Sequence, residues 1–244
     1  GVENVAVGYA SLTTDTKGNY STALGAFALA AQNFTSATSS FNTGLGYSAG
    51  AAVTTGTSNT LIGSLSGDAT TTGTHNTAVG VSSLGANTTG GSSVGIGADA
   101  LLLNTTGSSN VAVGAGALQA NTTADDNTAV GYLSLAANTT GTSNVAIGKD
   151  ALNDNTTANS NTAVGWNVLS KNTTGTANTG IGESALRNAT TGDSNTGLGY
   201  SALGAAVVTG DNNTAVGTNA GAAITSGAQN TAVGAQALDA STTG

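Results

Sequence analysis

Residues 127–148 read NTAVGYLSLAANTTGTSNVAIG, and the five-residue tag at each end of this stretch recurs, with small variations, along the whole chain. The tag ends in a glycine fourteen times. Eleven of the thirteen spacings between these glycines are 17 residues, one is 21 and one is 18. Such a constant phase indicates a tandem repeat rather than a disordered low-complexity tract. The closing glycines are Gly8, Gly25, Gly46, Gly63, Gly80, Gly97, Gly114, Gly131, Gly148, Gly165, Gly182, Gly199, Gly217 and Gly234.

The repeat has nearly constant positions when it is numbered from one to seventeen, starting at the Asn of the tag. Position two is Thr or Val, position four is Val, Ile or Leu, and position three is Ala or Gly except at Leu61. This alternation predicts a short β-strand. Seventeen residues are too few for the helix pairs of ankyrin or tetratricopeptide units. The pattern therefore predicts an all-β fold, a parallel β-solenoid (β-roll or β-helix) of about fourteen 17-residue coils.

Other positions of the repeat predict how the coils are held together. Asn at position one suits a turn and, when stacked coil upon coil, a ladder of side-chain hydrogen bonds. Gly at position five permits a positive φ or a close backbone approach. Because a single coil has too small a core to fold alone, the coils must stack, and fourteen of them at about 4.8 Å each predict a rod roughly 67 Å long.

The repeat predicts one tandem-repeat domain over residues 1–244. Four extra residues fall within residues 26–45 and one extra residue falls near 204–212, so we expect a bulge or a protruding loop at both places. Gly1 and Gly244 both occupy position fifteen, with no polar capping segment at either end. This phase is typical of a segment of a longer fibre or of subunits that stack head to tail.

Composition excludes several classes of function. The formal net charge is −8 and only four residues are Lys or Arg, so no basic patch is available for nucleic acid. No stretch approaches the ~20 apolar residues of a membrane-spanning helix, and we expect no membrane insertion. The chain has no cysteine, hence neither disulfides nor thiolate chemistry.

The tag resembles the head repeats of trimeric autotransporter adhesins, most closely in Asn110-Val-Ala-Val-Gly114 and Asn144-Val-Ala-Ile-Gly148. Together with Ala-Leu and Asn-Thr-Thr-Gly, it is also similar to repeats of phage-type tail-fibre-like proteins. The adhesin resemblance implies a trimer of left-handed β-rolls, with Val111 and Val113 inside the roll and Ala112 facing a neighbouring chain. The adhesin heads differ in having a shorter unit, near fourteen residues.

Three sets of side chains are candidate sites. A row of Thr-Thr pairs at positions thirteen and fourteen suits either a solvated turn or, on a flat face, ordered water. Aromatic residues at position six, Tyr9, Tyr47, Tyr132, Trp166 and Tyr200, are suited to stacking on sugar rings or to contact with a partner chain, although single exposed aromatics are also ordinary. Six asparagines begin Asn-Thr-Thr glycosylation sequons, which would be crowded in stacked coils: Asn87, Asn104, Asn121, Asn138, Asn155 and Asn172.

The sequence contains little that is suited to catalysis. His75 is the only histidine, and Asp99 and Asp150 share position seven but lie three coils apart, too far for a glycosidase-type pair. We therefore expect no enzyme activity, no catalytic residues, no cofactor and no metal site.

The leading hypothesis is an extracellular structural protein, a fibre shaft or self-assembling surface filament used in adhesion, attachment or matrix on a cell or virion surface. Its expected partners are copies of itself, as a head-to-tail polymer or a lateral trimer, with surface glycans as a further candidate. A carbohydrate-binding solenoid module and an ice-binding solenoid are the alternatives.

Overall fold

The structure, a computed structural model, describes residues 1–240. Gly244, on which the expected phase of the chain end depends, lies outside the described residues. The chain forms two compact units, Gly1–Ala124 and Asp125–Gly244. Within residues 1–240 every regular element is a β-strand.

Each coil contributes one three-residue strand, and successive strands within a unit pair in parallel. The register is constant: Val94, Gly95 and Ile96 lie opposite Val111, Ala112 and Val113 of the next coil. The predicted parallel β-solenoid with a 17-residue coil is therefore confirmed. The strands of the first unit are β1 Val5–Val7, β2 Gly18–Asn19, β3 Thr22–Leu24, β4 Thr38–Ser39, β5 Thr43–Leu45, β6 Thr60–Ile62, β7 Thr77–Val79, β8 Val94–Ile96 and β9 Val111–Val113. Those of the second unit are β10 Thr128–Val130, β11 Val145–Ile147, β12 Thr162–Val164, β13 Thr179–Ile181, β14 Thr196–Leu198, β15 Thr214–Val216 and β16 Thr231–Val233.

The strands face the opposite way from the arrangement that the adhesin resemblance implied. Ala112 is fully buried inside the coil, whereas Val111 and Val113 are half-exposed on its outer side. The prediction that these valines are interior and that Ala112 faces another chain is wrong for this structure. The cause is the narrowness of the coil: a Cβ on Gly44 would lie 2.9 Å from Cγ of Leu29 on the opposite wall. A large side chain at position three therefore collides with the leucine at position nine.

Position nine supplies the main apolar column of the interior. Leu84, Leu101 and Leu118 are fully buried, as are most of their equivalents. These leucines have φ values near +50°, and the residues at position seven, such as Ser82 and Asp99, are also left-handed. Left-handed residues at positions seven and nine turn the chain sharply after the strand. The coil thereby reverses direction within a few residues, which keeps it narrow.

The glycine at position five is required by a close approach between coils. Gly131 has φ +138°, and a Cβ placed on it would lie 2.6 Å from the carbonyl oxygen of Gly148 in the next coil. Any side chain at this point would push the coils apart. The expected role of this glycine is confirmed.

Asn at position one closes its own coil and links it to the preceding one. Asn59 donates from Nδ2 to the carbonyl of Gly73, fourteen residues later, at 2.9 Å. Its backbone N–H donates to Oδ1 of Asn42 in the preceding coil at 3.0 Å. The same bonds recur from coil to coil, so the predicted asparagine ladder is confirmed.

The two insertions differ from each other. Within residues 26–45 the extra residues pack against the solenoid: Gln32 and Phe34 are buried, and β4 pairs in parallel with β2. In the second insertion Val208 is buried and Val207 is exposed, so the extra residue forms a local bulge. The first insertion is thus a packed segment rather than only a protruding loop.

Candidate functional site

The outer side of each sheet is an uncharged face, which we call the strand face: positions two and four of every coil. Position two holds only Thr or Val and position four only Val, Ile or Leu, so the face carries no ionisable side chain. Its aliphatic side chains are half-buried to exposed, and the exposed fraction reaches 39% at Ile96 and 69% at Val233, in the last strand. A regular aliphatic column at a partly exposed surface, as at position four, is typical of a surface that contacts another molecule.

Sequence reasoning missed the strand face because it assigned positions two and four to the interior. One signal could have found it. Leu61, the only large residue at position three, lies between Gly50 and Gly67, two of the three glycines at position nine. A large residue that appears at one position only where it is missing at another indicates that the two positions share one interior space.

The Thr-Thr pairs do not form a flat array of free hydroxyls. Thr88 is half-buried and its Oγ1 donates to the carbonyl of Thr105 in the next coil at 3.0 Å, while Thr89 is exposed. Thr71, Thr105 and Thr139 donate in the same way. The position-thirteen hydroxyls therefore tie adjacent coils together, whereas position fourteen faces solvent.

The six sequon asparagines lie inside the solenoid, and all are 0% exposed. They form a second ladder at position twelve. Asn104, for example, donates from Nδ2 to Oδ1 of Asn87 at 3.0 Å and to the carbonyl of Gly107 at 2.9 Å. Because both hydrogens of this buried amide are donated, a glycan on it is incompatible with the folded coil. The glycosylation hypothesis is not supported for Asn87, Asn104, Asn121, Asn138, Asn155 or Asn172.

The position-six aromatics are exposed, and in the first unit they belong to a larger cluster. The ring of Phe27 lies 5.4 Å from that of Tyr9 and 6.0 Å from that of Tyr47, edge to face in both cases. Tyr20 and Phe41, which lie at position seventeen, just before the strands begin, stack in parallel with their ring centroids 5.3 Å apart. Phe27 lies at position seven rather than six, so the repeat pattern does not mark it as a partner of the position-six tyrosines.

In the second unit, position six alternates between aromatic and charged residues on successive coils: Tyr132, Lys149, Trp166, Glu183 and Tyr200. Backbone bonds hold this column in register, since Asp150 N–H donates to the carbonyl of Tyr132 and Ser184 N–H to that of Trp166. Beside the column lies a polar cavity of about 240 Å³, lined by Asp150, Asn153, Asn167, Ser170, Lys171 and Arg187.

Titratable groups are sparse elsewhere. Within residues 1–240 no group of three or more His, Asp or Glu side chains is placed to hold a metal ion, and His75 is exposed at position seventeen. Burial raises the pKa of Asp68 above its usual value, an effect that the N–H groups of Asp68 and Ala69 partly oppose.

No protein-family model, no curated protein and no solved structure matches this chain. Residues 1–240 include no helix with the length and apolar character needed to span a membrane.

Proposed function

We propose that the chain is an extracellular structural protein, a fibre shaft or surface filament that associates with copies of itself in adhesion, attachment or matrix. The observation that carries this proposal is the strand face, which is uncharged and carries an unbroken aliphatic column at position four over the seven three-residue strands of each unit. The resemblance of the tag to adhesin heads and tail-fibre-like repeats agrees with it. In this proposal the lateral contacts use positions two and four, which are on the outer side of the coil, rather than position three, which is buried.

The size of the strand face suits a contact between two copies. Seven strands at about 4.8 Å, each exposing about 10 Å from position two to position four, cover on the order of 350 Å² in one unit. The strand faces of both units of two copies together bury on the order of 1,400 Å², which lies within the range of specific protein interfaces. Because the face holds no charged group, it can be covered without desolvating ions.

Sedimentation tests this proposal. We expect the protein to be oligomeric at micromolar concentration, and the double variant Ile96→Lys/Ile147→Lys to be monomeric, because an ammonium on each unit's strand face must be desolvated on association. The matched control Thr89→Lys/Thr140→Lys adds the same charges at exposed position fourteen and should associate like the wild type. A wild-type monomer at these concentrations, or equal association of both double variants, would contradict the proposal.

A second candidate, ice binding, is favoured by one observation on the same face. In the second unit, position two is Thr in six of seven coils, and the hydroxyls of Thr162, Thr179 and Thr196, among others, make no hydrogen bond within residues 125–240. Such a row can bind ordered water, in contrast to the position-thirteen hydroxyls. Thermal hysteresis that Thr179→Lys abolishes would support this function, and its absence in the wild type would reject it.

A further inference from the structure

The second unit concentrates the chain's positive charge in three adjacent coils. Lys149, Lys171 and Arg187 are three of only four Lys or Arg residues in the sequence. Two of them are balanced locally: Lys171 Nζ lies 2.8 Å from Oδ2 of Asp154, and Lys149 Nζ lies 3.8 Å from Oδ2 of Asp150. Arg187 is exposed and forms neither an ion pair nor a side-chain hydrogen bond with any residue from 125 to 240. Its guanidinium therefore has all of its donors available at the wall of the polar cavity.

Of the other walls of this cavity, Asp150 and Lys171 are charged, and each already lies close to an opposite charge; the remaining three supply neutral donors and acceptors. Asn167 and Ser170 carry side chains that can both donate and accept, and Asn153 adds a third, although its Nδ2 already donates to the carbonyl of Leu133 at 3.0 Å. This set of groups matches a ligand rich in hydroxyls, because each hydroxyl also donates and accepts. A volume of about 240 Å³ accommodates a small part of a ligand rather than a whole chain.

The column at position six runs beside the cavity, and its aromatic rings supply an apolar surface on which a ligand can stack. Trp166, 49% exposed, directly precedes Asn167 of the cavity wall, and Tyr132 and Tyr200 lie two coils away on either side, about 9.6 Å along the stack. Lys149 lies over the ring of Tyr132, 6.0 Å from its centroid, and helps to fix that ring. Evenly spaced exposed rings present repeated stacking surfaces to a ligand that itself has repeated rings.

From this arrangement we infer a binding site for a carboxylate-bearing oligosaccharide. Sugar rings stack on Trp166 and its neighbours in the column, sugar hydroxyls bond Asn167 and Ser170, and the carboxylate forms a bidentate pair with Arg187. The site does not depend on the structural role proposed above, because it lies on position six and beyond rather than on the strand face.

The chain offers a local probe, since Trp166 is its only tryptophan. We would titrate the full protein with the tetramer of galacturonic acid and with the same tetramer after methyl esterification, following tryptophan fluorescence. The acid tetramer should change the emission and bind about 10-fold or more tightly than the ester, because the ester lacks the charge that pairs with Arg187. Added salt should weaken the binding of the acid tetramer and leave the binding of the ester unchanged.

Arg187→Ala should lower the affinity for the acid tetramer about 10-fold or more and leave the ester unaffected, with Arg187→Lys intermediate. Trp166→Ala should lower the affinity for both tetramers, and calorimetry measures this change because the variant has no tryptophan. Tyr47→Ala, at the same repeat position in the first unit, is the matched control and should bind like the wild type, and far-UV circular dichroism checks the fold of each exposed-site variant. No binding of the acid tetramer, equal binding of acid and ester, or an Arg187→Ala variant with wild-type affinity would each overturn the inference.

Discussion

Two neighbouring regions of the first unit fill the same interior in different ways. In residues 76–109, position nine supplies Leu84 and Leu101, and position three is small. In residues 42–75, position nine is Gly50 and then Gly67, and Leu61 enters from position three on the opposite wall. A Cβ on either glycine would lie 2.7 Å from a methyl carbon of Leu61. One leucine from the strand side thus occupies the space that two leucines of the turn side leave empty.

The same two regions differ at position twelve. Where position nine is Leu, Asn87 and Asn104 continue the inner asparagine ladder; where it is Gly, Val53 and Thr70 stand in their place. Ile224, in the second unit, accompanies Gly221 in the same way, and a Cβ on that glycine would lie 3.2 Å from Cδ1 of Ile224. The coil therefore keeps the total volume of its interior nearly constant, whichever positions supply the side chains.

The largest expected effect is that of Leu61→Ala. Removing the one large side chain opposite two glycines leaves a cavity that neither coil can fill with a leucine at position nine, so we expect the free energy of unfolding to fall by about 3–5 kcal/mol. Leu101→Ala, whose column neighbours are leucines that can relax, should cost less within the same range. Urea denaturation measures both. Leu103→Ala, at a 47% exposed leucine, is the control and should stay within about 0.5 kcal/mol of the wild type. A Leu61→Ala variant as stable as this control would show that Leu61 does not take the place of the missing position-nine leucines.

The next effect is that of Gly67→Leu, which installs the residue found at position nine in most coils. The backbone there already has φ +55°, a value that the leucines at this position adopt, so the backbone is not the obstacle. The new side chain instead meets Leu61, and overpacking should cost about 1–3 kcal/mol. In the double variant Leu61→Ala/Gly67→Leu the two losses should largely cancel. Strict additivity of the two single changes in a double-mutant cycle would show that the positions do not share a space.

A smaller, stabilising effect is expected where the inner asparagine ladder stops. Oδ1 of Asn172 is buried without a hydrogen-bond partner, because the next coil has Ala189 at position twelve. Ala189→Asn should donate to that oxygen, as Asn172 itself donates to Asn155 at 3.0 Å, and raise the free energy of unfolding by about 0.5–1.5 kcal/mol. Asn104→Ala, in the middle of the ladder, should have the opposite sign. If Ala189→Asn lowers the midpoint of thermal unfolding, the ladder does not tolerate extension there.

The smallest effect concerns pH and again separates the two regions. Asp68 occupies position ten of the glycine-containing region, where the other region has Gly85 and Leu102. Because burial raises its pKa, the folded protein binds this proton more tightly than the unfolded chain does. The contribution of Asp68 to the free energy of unfolding is therefore fully present at pH values below 3.8, the ordinary pKa of Asp. It is lost as the pH rises through the raised pKa of the folded state.

Asp68→Asn should therefore raise the melting temperature at pH 7 relative to the wild type, and the difference should vanish at pH values below 3.8. Asp126→Asn, at an exposed carboxylate, serves as the control. A melting-temperature difference for Asp68→Asn that is the same at both pH values would rule out ionisation as its cause.

The sequence predicted the elements of this fold better than their orientation. The 17-residue phase was enough for the strands, the parallel register, the asparagine ladder at position one and the close approach at position five, because each rests on a residue type with few alternatives. A period of two, by contrast, does not say which side of a strand is interior. That choice depends on the width of the coil, which the left-handed turns at positions seven and nine set, and leucine at a positive φ is not a pattern that composition predicts.

The same limit applies to the candidate sites. The position-six aromatics could be located by phase alone, since a turn residue after the strand lies outside in any version of the coil. The sequons could not be judged in this way, because Asn-Thr-Thr in a polar tract predicts an exposed turn, whereas Asn104 lies in the interior. The cavity at Arg187 depends on side chains from positions seven, ten and eleven of different coils, which only become neighbours once the coil has its observed shape.

The exchange around Leu61 has a consequence for inheritance. Most coils of this chain are interchangeable neighbours, so a gene that gains or loses one repeat by recombination still encodes a packed interior. Gly50, Leu61 and Gly67 span two repeats and fit one another in a way that no other pair of coils repeats. A crossover between codons 50 and 67 would separate them and encode either a void or a collision, so these two coils should be gained, lost or copied as a pair.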